Sequence, residues 1–169
     1  MWLYEDDPGA VRDLIKHLYC HDVYLDTVDH HKELAKSAGQ MMRFIALAIV
    51  GEKYLVPEAC AQATRAFQDI LDHLPDTDNP ADIFAELIGY VYIDHADEAS
   101  DFRTYLVNHF IAMVGGPEDM SESKALFEKV PEFAFDVASA AVMRQKASSG
   151  ARKQLSGKKG KKGYRVIPV

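Results

Sequence analysis

The fold predicted for this chain depends most on one stretch, Met41-Met-Arg-Phe-Ile-Ala-Leu-Ala-Ile-Val-Gly-Glu-Lys-Tyr-Leu-Val-Pro57. Between Phe44 and Val50 its apolar side chains fall on nearly every side of a helix, and such a helix is normally surrounded by others. Pro57 is suited to open the next helix, because the first helical position needs no backbone N–H. We therefore predict that a helix over residues 41–56 forms the centre of the core.

Helical patterns also lie on both sides of this stretch. Asp7 and Pro8 are suited to the N-cap and first position of a helix that ends near Cys20. One helix follows Pro57, and three more follow the boundary at 75–80. The apolar residues that define these stripes are Val11, Leu14, Ile15, Leu18 and Tyr19; Ala59, Ala63, Ala66, Phe67, Ile70 and Leu71; Ile83, Phe84, Leu87, Ile88 and Val91; Phe102, Tyr105, Leu106, His109, Phe110 and Met113; and Phe133, Val137, Ala138, Ala141 and Val142. The fold class is mainly α.

The remaining segments are assigned from composition. Residues 1–4 predict one short strand, residues 26–40 mainly a loop, and the surroundings of Leu126 and Phe127 a short helical piece. From Ala147 onward Ser, Gly and Lys dominate, and they bury too little apolar surface to offset the entropy of ordering. The predicted division is therefore 1–74, 80–146 and a disordered basic tail over 147–169.

The formal net charge of −7 is distributed unevenly along the chain. Nine of the 19 basic residues and none of the 26 acidic ones lie after position 143. The first 143 residues therefore carry −16 and the last 26 carry +9. An acidic body repels phosphate backbones, so nucleic-acid binding is expected only through the tail.

The composition of particular segments also indicates the cellular compartment of the protein. No run of 18 apolar residues exists, and the N-terminus lacks a signal pattern. Cys20 and Cys60 lie in apolar segments, as is usual for reduced packing residues. We expect an intracellular protein, in the nucleus or the cytoplasm, with no membrane association.

The histidines raise a metal hypothesis. His17 and His21 are four residues apart on one helix, with Asp22 next, a spacing that can hold zinc. His21-Asp22 is also the dipeptide of metal-dependent phosphohydrolases of the HD type, which keeps an all-helical hydrolase built on His17, His21 and Asp22 as the alternative function. The interpretation we favour is that these are exposed residues at a helix end, where an imidazolium suits the helix dipole.

Other signs of catalysis are weak. The acidic cluster Asp94-His-Ala-Asp-Glu98 lies at a solvated junction between helices, where burial does not drive carboxyl pKa values apart. The sequence contains no glycine-rich phosphate loop, no GxSxG elbow and no CxxC pair. We therefore expect neither catalytic residues nor a bound cofactor.

The tail carries a second kind of signal. Lys158, Lys159, Lys161 and Lys162 form a short basic run that is typical of nuclear-import signals and of phosphate-binding arms. The tail could also fold back electrostatically on the acidic body, a contact that salt would weaken. These three hypotheses stay open at this point.

Several stretches resemble the second half of a BTB/POZ domain, most closely of the fungal type. The runs that carry the resemblance are Glu5-Asp-Asp-Pro-Gly-Ala-Val11, Leu14-Ile-Lys-His-Leu-Tyr-Cys-His-Asp-Val-Tyr24, Leu47-Ala-Ile-Val-Gly-Glu-Lys-Tyr-Leu-Val-Pro-Glu-Ala-Cys60, and more loosely Ala99-Ser-Asp-Phe-Arg103 and Pro131-Glu-Phe133. The most specific part is 52–57. The resemblance covers residues 2–72, with a looser extension over 80–143.

This resemblance implies a non-enzymatic protein-interaction module. In some members of the family the domain is an adaptor that presents substrates to a cullin-type ubiquitin ligase; a transcription-related scaffold is another role. The implied partners are a cullin or another BTB chain, and the implied contact residues are Leu14, Leu18, Tyr19, Tyr54 and Val56. Since the opening half of the family's domain has no counterpart here, we do not expect its usual homodimer. We also expect the 41–56 helix to leave an exposed apolar patch.

Overall fold

The computed structural model describes residues 6–20, 38–74, 80–113 and 123–157, and these residues form a mainly α structure, as predicted. Seven α-helices are described, and no strand occurs within these ranges. The helices are α1 (Pro8–Cys20), α2 (Ala38–Lys53), α3 (Pro57–Asp72), α4 (Pro80–Gly89), α5 (Ser100–Met113), α6 (Lys124–Lys129) and α7 (Pro131–Gly157). A π-helical turn, Tyr90–Asp94, continues α4. The strand predicted at 1–4 lies outside the described residues.

The start of α1 follows the local signals in the sequence. The side chain of Asp7 accepts a hydrogen bond from the backbone N–H of Ala10 at 2.7 Å, which satisfies one of the free donors of the first turn. Pro8 occupies the first helical position. Helix α2 begins at Ala38, so the loop predicted for 26–40 ends earlier than expected; residues 26–37 lie outside the described ranges.

Helix α2 is the centre of the core, as predicted. Nine of its residues are buried, among them Met41, Ile45 and Leu47. It packs most extensively against α3, and α1 and α4 also contact it. The prediction that this helix leaves an exposed apolar patch is wrong, because α4, from the second half of the chain, packs on α2 together with α1 and α3.

A tight turn joins α2 to α3. The N–H of Val56 donates to the Gly51 carbonyl at 2.8 Å, and the N–H of Leu55 donates to the Glu52 carbonyl at 3.1 Å. This pair of bonds is the Schellman motif, in which the residue held by Leu55 is usually glycine. Leu55 accordingly has φ 58° and is 87% exposed.

The second half of the core is aromatic. Phe133 of α7 is fully buried, and its ring lies within 6.3 Å, centroid to centroid, of the rings of Phe84, Tyr92, Phe110 and Phe127. These contacts tie α7 to α4, α5 and α6. Within the described residues no helix is long and apolar enough to cross a membrane.

Helix α7 corrects two predictions. Val137 is buried as expected, but Ala138, Ala141 and Val142 are exposed, so the predicted apolar stripe of this helix is buried only in its first part. Disorder was predicted from Ala147, whereas the helix continues to Gly157. Adding residues to an existing helix is cheap, and Ala, Arg, Lys, Gln and Leu in 147–157 are good helix formers. Residues 158–169 lie outside the described ranges.

Candidate functional site

Two ionic clusters hold α1 against α2. Asp6 accepts hydrogen bonds from Lys53 Nζ and from the Tyr54 hydroxyl, each at 2.6 Å. Within α1, Asp13 accepts hydrogen bonds from both Nε and Nη2 of Arg43, at 2.5 and 2.6 Å. Since the start of α1 meets the end of α2, the two helices run antiparallel. Contacts at two positions, Asp6 and Asp13, therefore fix the orientation of α1 relative to α2.

The outer side of α1 is apolar and exposed. Leu18 is 53% exposed, Tyr19 is 84% exposed, and Ile15 one turn earlier is also exposed. We call these three residues the apolar face of α1. Leu14 was expected among the contact residues, but it is buried against the core and cannot reach a partner without disrupting the helix packing. Ile15 is not among the expected contact residues, although it lies on the same stripe as Leu18 and Tyr19.

The other two expected contact residues lie in and after the α2–α3 turn. Tyr54 is half-buried, and its hydroxyl donates a hydrogen bond to Asp6. Val56 is half-buried and packs against the core. Leu55 between them is the residue that projects into solvent. The hydrophobic pattern alone does not find it, since its exposure follows from the left-handed turn.

His17 is buried in α1, which differs from the interpretation that we favour for it. Its side chain is only 5% exposed, so its interpretation as an exposed residue is wrong. Position 17 lies one turn after Leu14 and two turns after Ala10, on the side of α1 that is buried. His21 and Asp22 lie outside the described residues. Among the residues that are described, no three His, Cys, Asp or Glu side chains are grouped as a metal site.

A polar cluster surrounds Arg103 on α5. Its guanidinium lies 4.5 Å from the Tyr92 ring centroid and donates to the Ala96 carbonyl at 2.7 Å. The Tyr92 hydroxyl donates to Asp136 at 2.8 Å. Burial, followed by the hydrogen bond to Asp136, raises the pKa of Tyr92 well above its ordinary value. Arg103 Nε is buried without a hydrogen-bond partner, whereas the other contacts of the cluster join α5, α7 and the π-helical turn.

The remaining predicted sites are the acidic cluster at 94–98, Cys60 and the basic run of the tail. Within the acidic cluster, Asp94, Asp97 and Glu98 are exposed, and His95 Nδ1 lies 3.1 Å from Glu98 Oε2. Cys60 is a free, half-buried thiol whose pKa is raised by burial. Lys158, Lys159, Lys161 and Lys162 lie outside the described residues.

No family model, curated protein or solved structure matches this chain. Its function therefore has to be inferred from the surfaces themselves. Of the described surfaces that the sequence analysis singled out, the apolar face of α1 is the one that combines large exposed apolar side chains with a rigid support.

The Asp6 cluster predicts a specific pH dependence of stability. The hydrogen bond from Lys53, then the one from Tyr54, lowers the pKa of Asp6 below its ordinary value. A carboxyl whose pKa is lowered by folding stabilises the protein at pH values above its unfolded pKa of about 3.9, and this contribution is lost as the pH falls through the folded pKa. We expect Asp6→Asn to be less stable than the wild type at pH 6, and the difference should shrink as the pH falls through the lowered pKa of Asp6. Urea denaturation at a series of pH values measures this difference, and a gap that is constant with pH would contradict it.

The left-handed backbone conformation of Leu55 predicts that a substitution at this position can stabilise the protein. A non-glycine residue in the left-handed region costs about 1–2 kcal/mol, and the Leu55 side chain makes few contacts in return. We expect Leu55→Gly to raise the free energy of unfolding by about 0.5–1 kcal/mol. Leu55→Ala, which keeps a Cβ, serves as the control and should show no such gain. Thermal unfolding followed by circular dichroism measures both variants.

Proposed function

We propose that this protein is a non-enzymatic protein-interaction module of the BTB/POZ type that binds its partner through the apolar face of α1. The observation that carries the proposal is the exposure of Ile15, Leu18 and Tyr19 on a helix fixed by the Asp6 and Asp13 clusters. A partner that covers these side chains removes apolar surface from water, the main source of favourable free energy in association.

The chemistry of the face suits an interaction hot spot. Tyrosine is enriched in such sites because its ring is large, rigid and amphipathic. Because α1 is anchored at both Asp6 and Asp13, little ordering entropy is lost when a partner binds. Arg12 and Lys16 are also exposed on α1 and provide a polar rim beside the apolar residues.

The resemblance over residues 2–72 indicates which partner to test first. In that family a cullin contacts parts of the helices that correspond here to α1 and α3, which places the apolar face within the surface concerned. An adaptor of a cullin-type ubiquitin ligase is therefore the form of the function that we propose. A second BTB chain is the other partner class to be assayed.

The test is binding of the full-length protein to the N-terminal domain of a cullin by titration calorimetry. We expect Leu18→Asp to weaken binding more than about tenfold, because a carboxylate would be buried at the centre of the contact. Phe135→Asp, which changes an exposed apolar residue on α7, is the matched control and should bind like the wild type. Failure of the wild type to bind the cullin domain and a full-length BTB chain would overturn the proposal, as would equal losses in both variants.

A further inference from the structure

A pocket of about 350 Å³ lies between α3 and α5. Its polar lining consists of Gln68 and Asp72 from α3 and of Tyr105, Asn108 and His109 from α5. None of its lining residues belongs to α1, so the pocket is separate from the apolar face of α1. We call it the α3–α5 pocket.

His109 also takes part in the aromatic packing of the core. Its ring centroid lies 5.8 Å from that of Phe84 on α4, with 39° between the ring planes. Phe84 in turn stacks on Phe110 at 6.1 Å, and Phe133 of α7 packs edge-on against it. The half-buried ring of His109 therefore lies between the α3–α5 pocket and the packed junction of α4, α5 and α7.

The imidazole of His109 is not fully satisfied in this position. Its Nε2 atom is buried and has no hydrogen-bond partner, which is rare for a buried polar atom. Burial lowers the pKa of His109, by more than the negative charge of Asp72 raises it. The ring is therefore neutral at pH 7. Both nitrogens of an imidazolium carry a proton, so protonation in place would leave a buried, charged N–H unpaired.

The α3–α5 pocket is the more favourable environment for a charged ring. Asp72 is exposed and is the one carboxylate in the lining, and Gln68 one turn earlier adds an amide oxygen as a second acceptor. Tyr105, the other titratable group of the lining, lies on the same helix as His109. From α7, Arg144 donates to Asn108 at 3.1 Å, so this cation has a partner at the edge of the pocket. A carboxylate within reach of an imidazolium favours its charged form.

We propose that His109 is a proton-sensitive latch between the core and the α3–α5 pocket. The neutral ring packs on Phe84, whereas the imidazolium turns into the pocket and donates a hydrogen bond to Asp72. The two positions differ in the side-chain rotamer of His109, so the backbone of α5 need not move. The proposal does not depend on the function proposed for the apolar face of α1.

The latch responds to mild acid. Because burial lowers the pKa of His109, the protein with this ring inside binds fewer protons than the unfolded chain below pH ~6.5, and its stability falls with the pH. Turning the ring toward Asp72 recovers part of this loss. The departing ring also removes packing contacts from Phe84, so the junction of α4, α5 and α7 loosens as the protein is acidified.

Nuclear magnetic resonance of the full-length protein, with labelled histidine and phenylalanine rings, tests the proposal. At pH 7.5 we expect a nuclear Overhauser contact between the ring protons of His109 and Phe84. By pH 5 this contact should be lost as the His109 ring titrates, while the far-UV circular dichroism of the helices is retained. The variant His109→Gln assigns the His109 resonances.

Two variants on α3 test the role of Asp72. Asp72→Asn removes the acceptor in the pocket and should move the titration midpoint of His109 at least about 0.5 pH unit lower. Asp69→Asn makes the same change in charge at an exposed position of α3 outside the lining, and it should leave the midpoint within about 0.2 unit of the wild type.

Several outcomes would overturn the proposal. One is a His109 ring that titrates while its contact with Phe84 stays intact. Another is a ring that does not titrate between pH 7.5 and pH 4.5, or a wild type that unfolds before the contact is lost. Equal shifts of the midpoint in the Asp72→Asn and Asp69→Asn variants would also overturn it, because the pocket carboxylate would then have no special role.

Discussion

Phe133→Ala is expected to lower the free energy of unfolding by about 3–5 kcal/mol, the largest stability effect that we foresee for a single substitution in this protein. Phe133 is fully buried, and its ring contacts four other aromatic rings contributed by α4, the π-helical turn, α5 and α6. Truncation removes the transfer free energy of the ring and leaves a cavity that rigid helices cannot fill. It also removes edge-to-face contacts worth about 0.5–1.5 kcal/mol per pair beyond the burial of area.

The same helix provides a matched control. Phe135 lies two residues further along α7 and is 72% exposed. We expect Phe135→Ala to change the stability by less than about 0.5 kcal/mol. Urea denaturation of both variants, followed by far-UV circular dichroism, measures the difference. Similar losses for the two phenylalanines would mean that α7 does not pack through Phe133.

Gly51→Ala is expected to destabilise the protein by about 1–3 kcal/mol, although alanine is the better helix former. A Cβ at position 51 would lie 3.2 Å from the backbone nitrogen of Cys60 and 3.5 Å from the Val56 carbonyl oxygen. Both are backbone atoms of the α2–α3 junction, and the Schellman bonds of Leu55 and Val56 hold them in place. The close approach of the two most extensively packed helices therefore requires glycine at this position.

Gly39, near the start of the same helix, is the control for this substitution. A Cβ there would meet no atom within 4 Å. We expect Gly39→Ala to cause no loss and to add up to about 1 kcal/mol of stability, because the helix-forming advantage of alanine is then unopposed. Thermal and urea unfolding of the two variants compare the effects directly, and a gain at both positions would show that α2 and α3 can separate at little cost.

Much of the helical framework could be predicted from local signals. Asp7 and Pro8 mark the start of α1, Pro57 that of α3, and the all-round apolar pattern of 41–56 marks the buried centre. These signals depend on contacts within one or two turns of a helix, which the chain order determines. Helix α7 ends later than predicted, since composition describes how much apolar surface a segment can bury and not whether an existing helix continues through it.

The candidate site was only partly accessible to the same reasoning. The stripe of α1 contained Leu14, Ile15, Leu18 and Tyr19, but the sequence could not separate the buried Leu14 from its exposed neighbours. The expectation that His17 is exposed rests on its position near the end of α1, whereas its burial depends on which side of α1 meets the core.

The sequence by itself determined the mainly α class, the starts of several helices, the central position of α2, and the separation of an acidic body from a basic end. Each of these follows from residue types and their spacing along the chain. Only the tertiary structure decided which apolar residues stay exposed, since that depends on which helix packs on which. The covering of α2 by α4 and the support of α1 by Lys53 and Arg43 both arise from that packing.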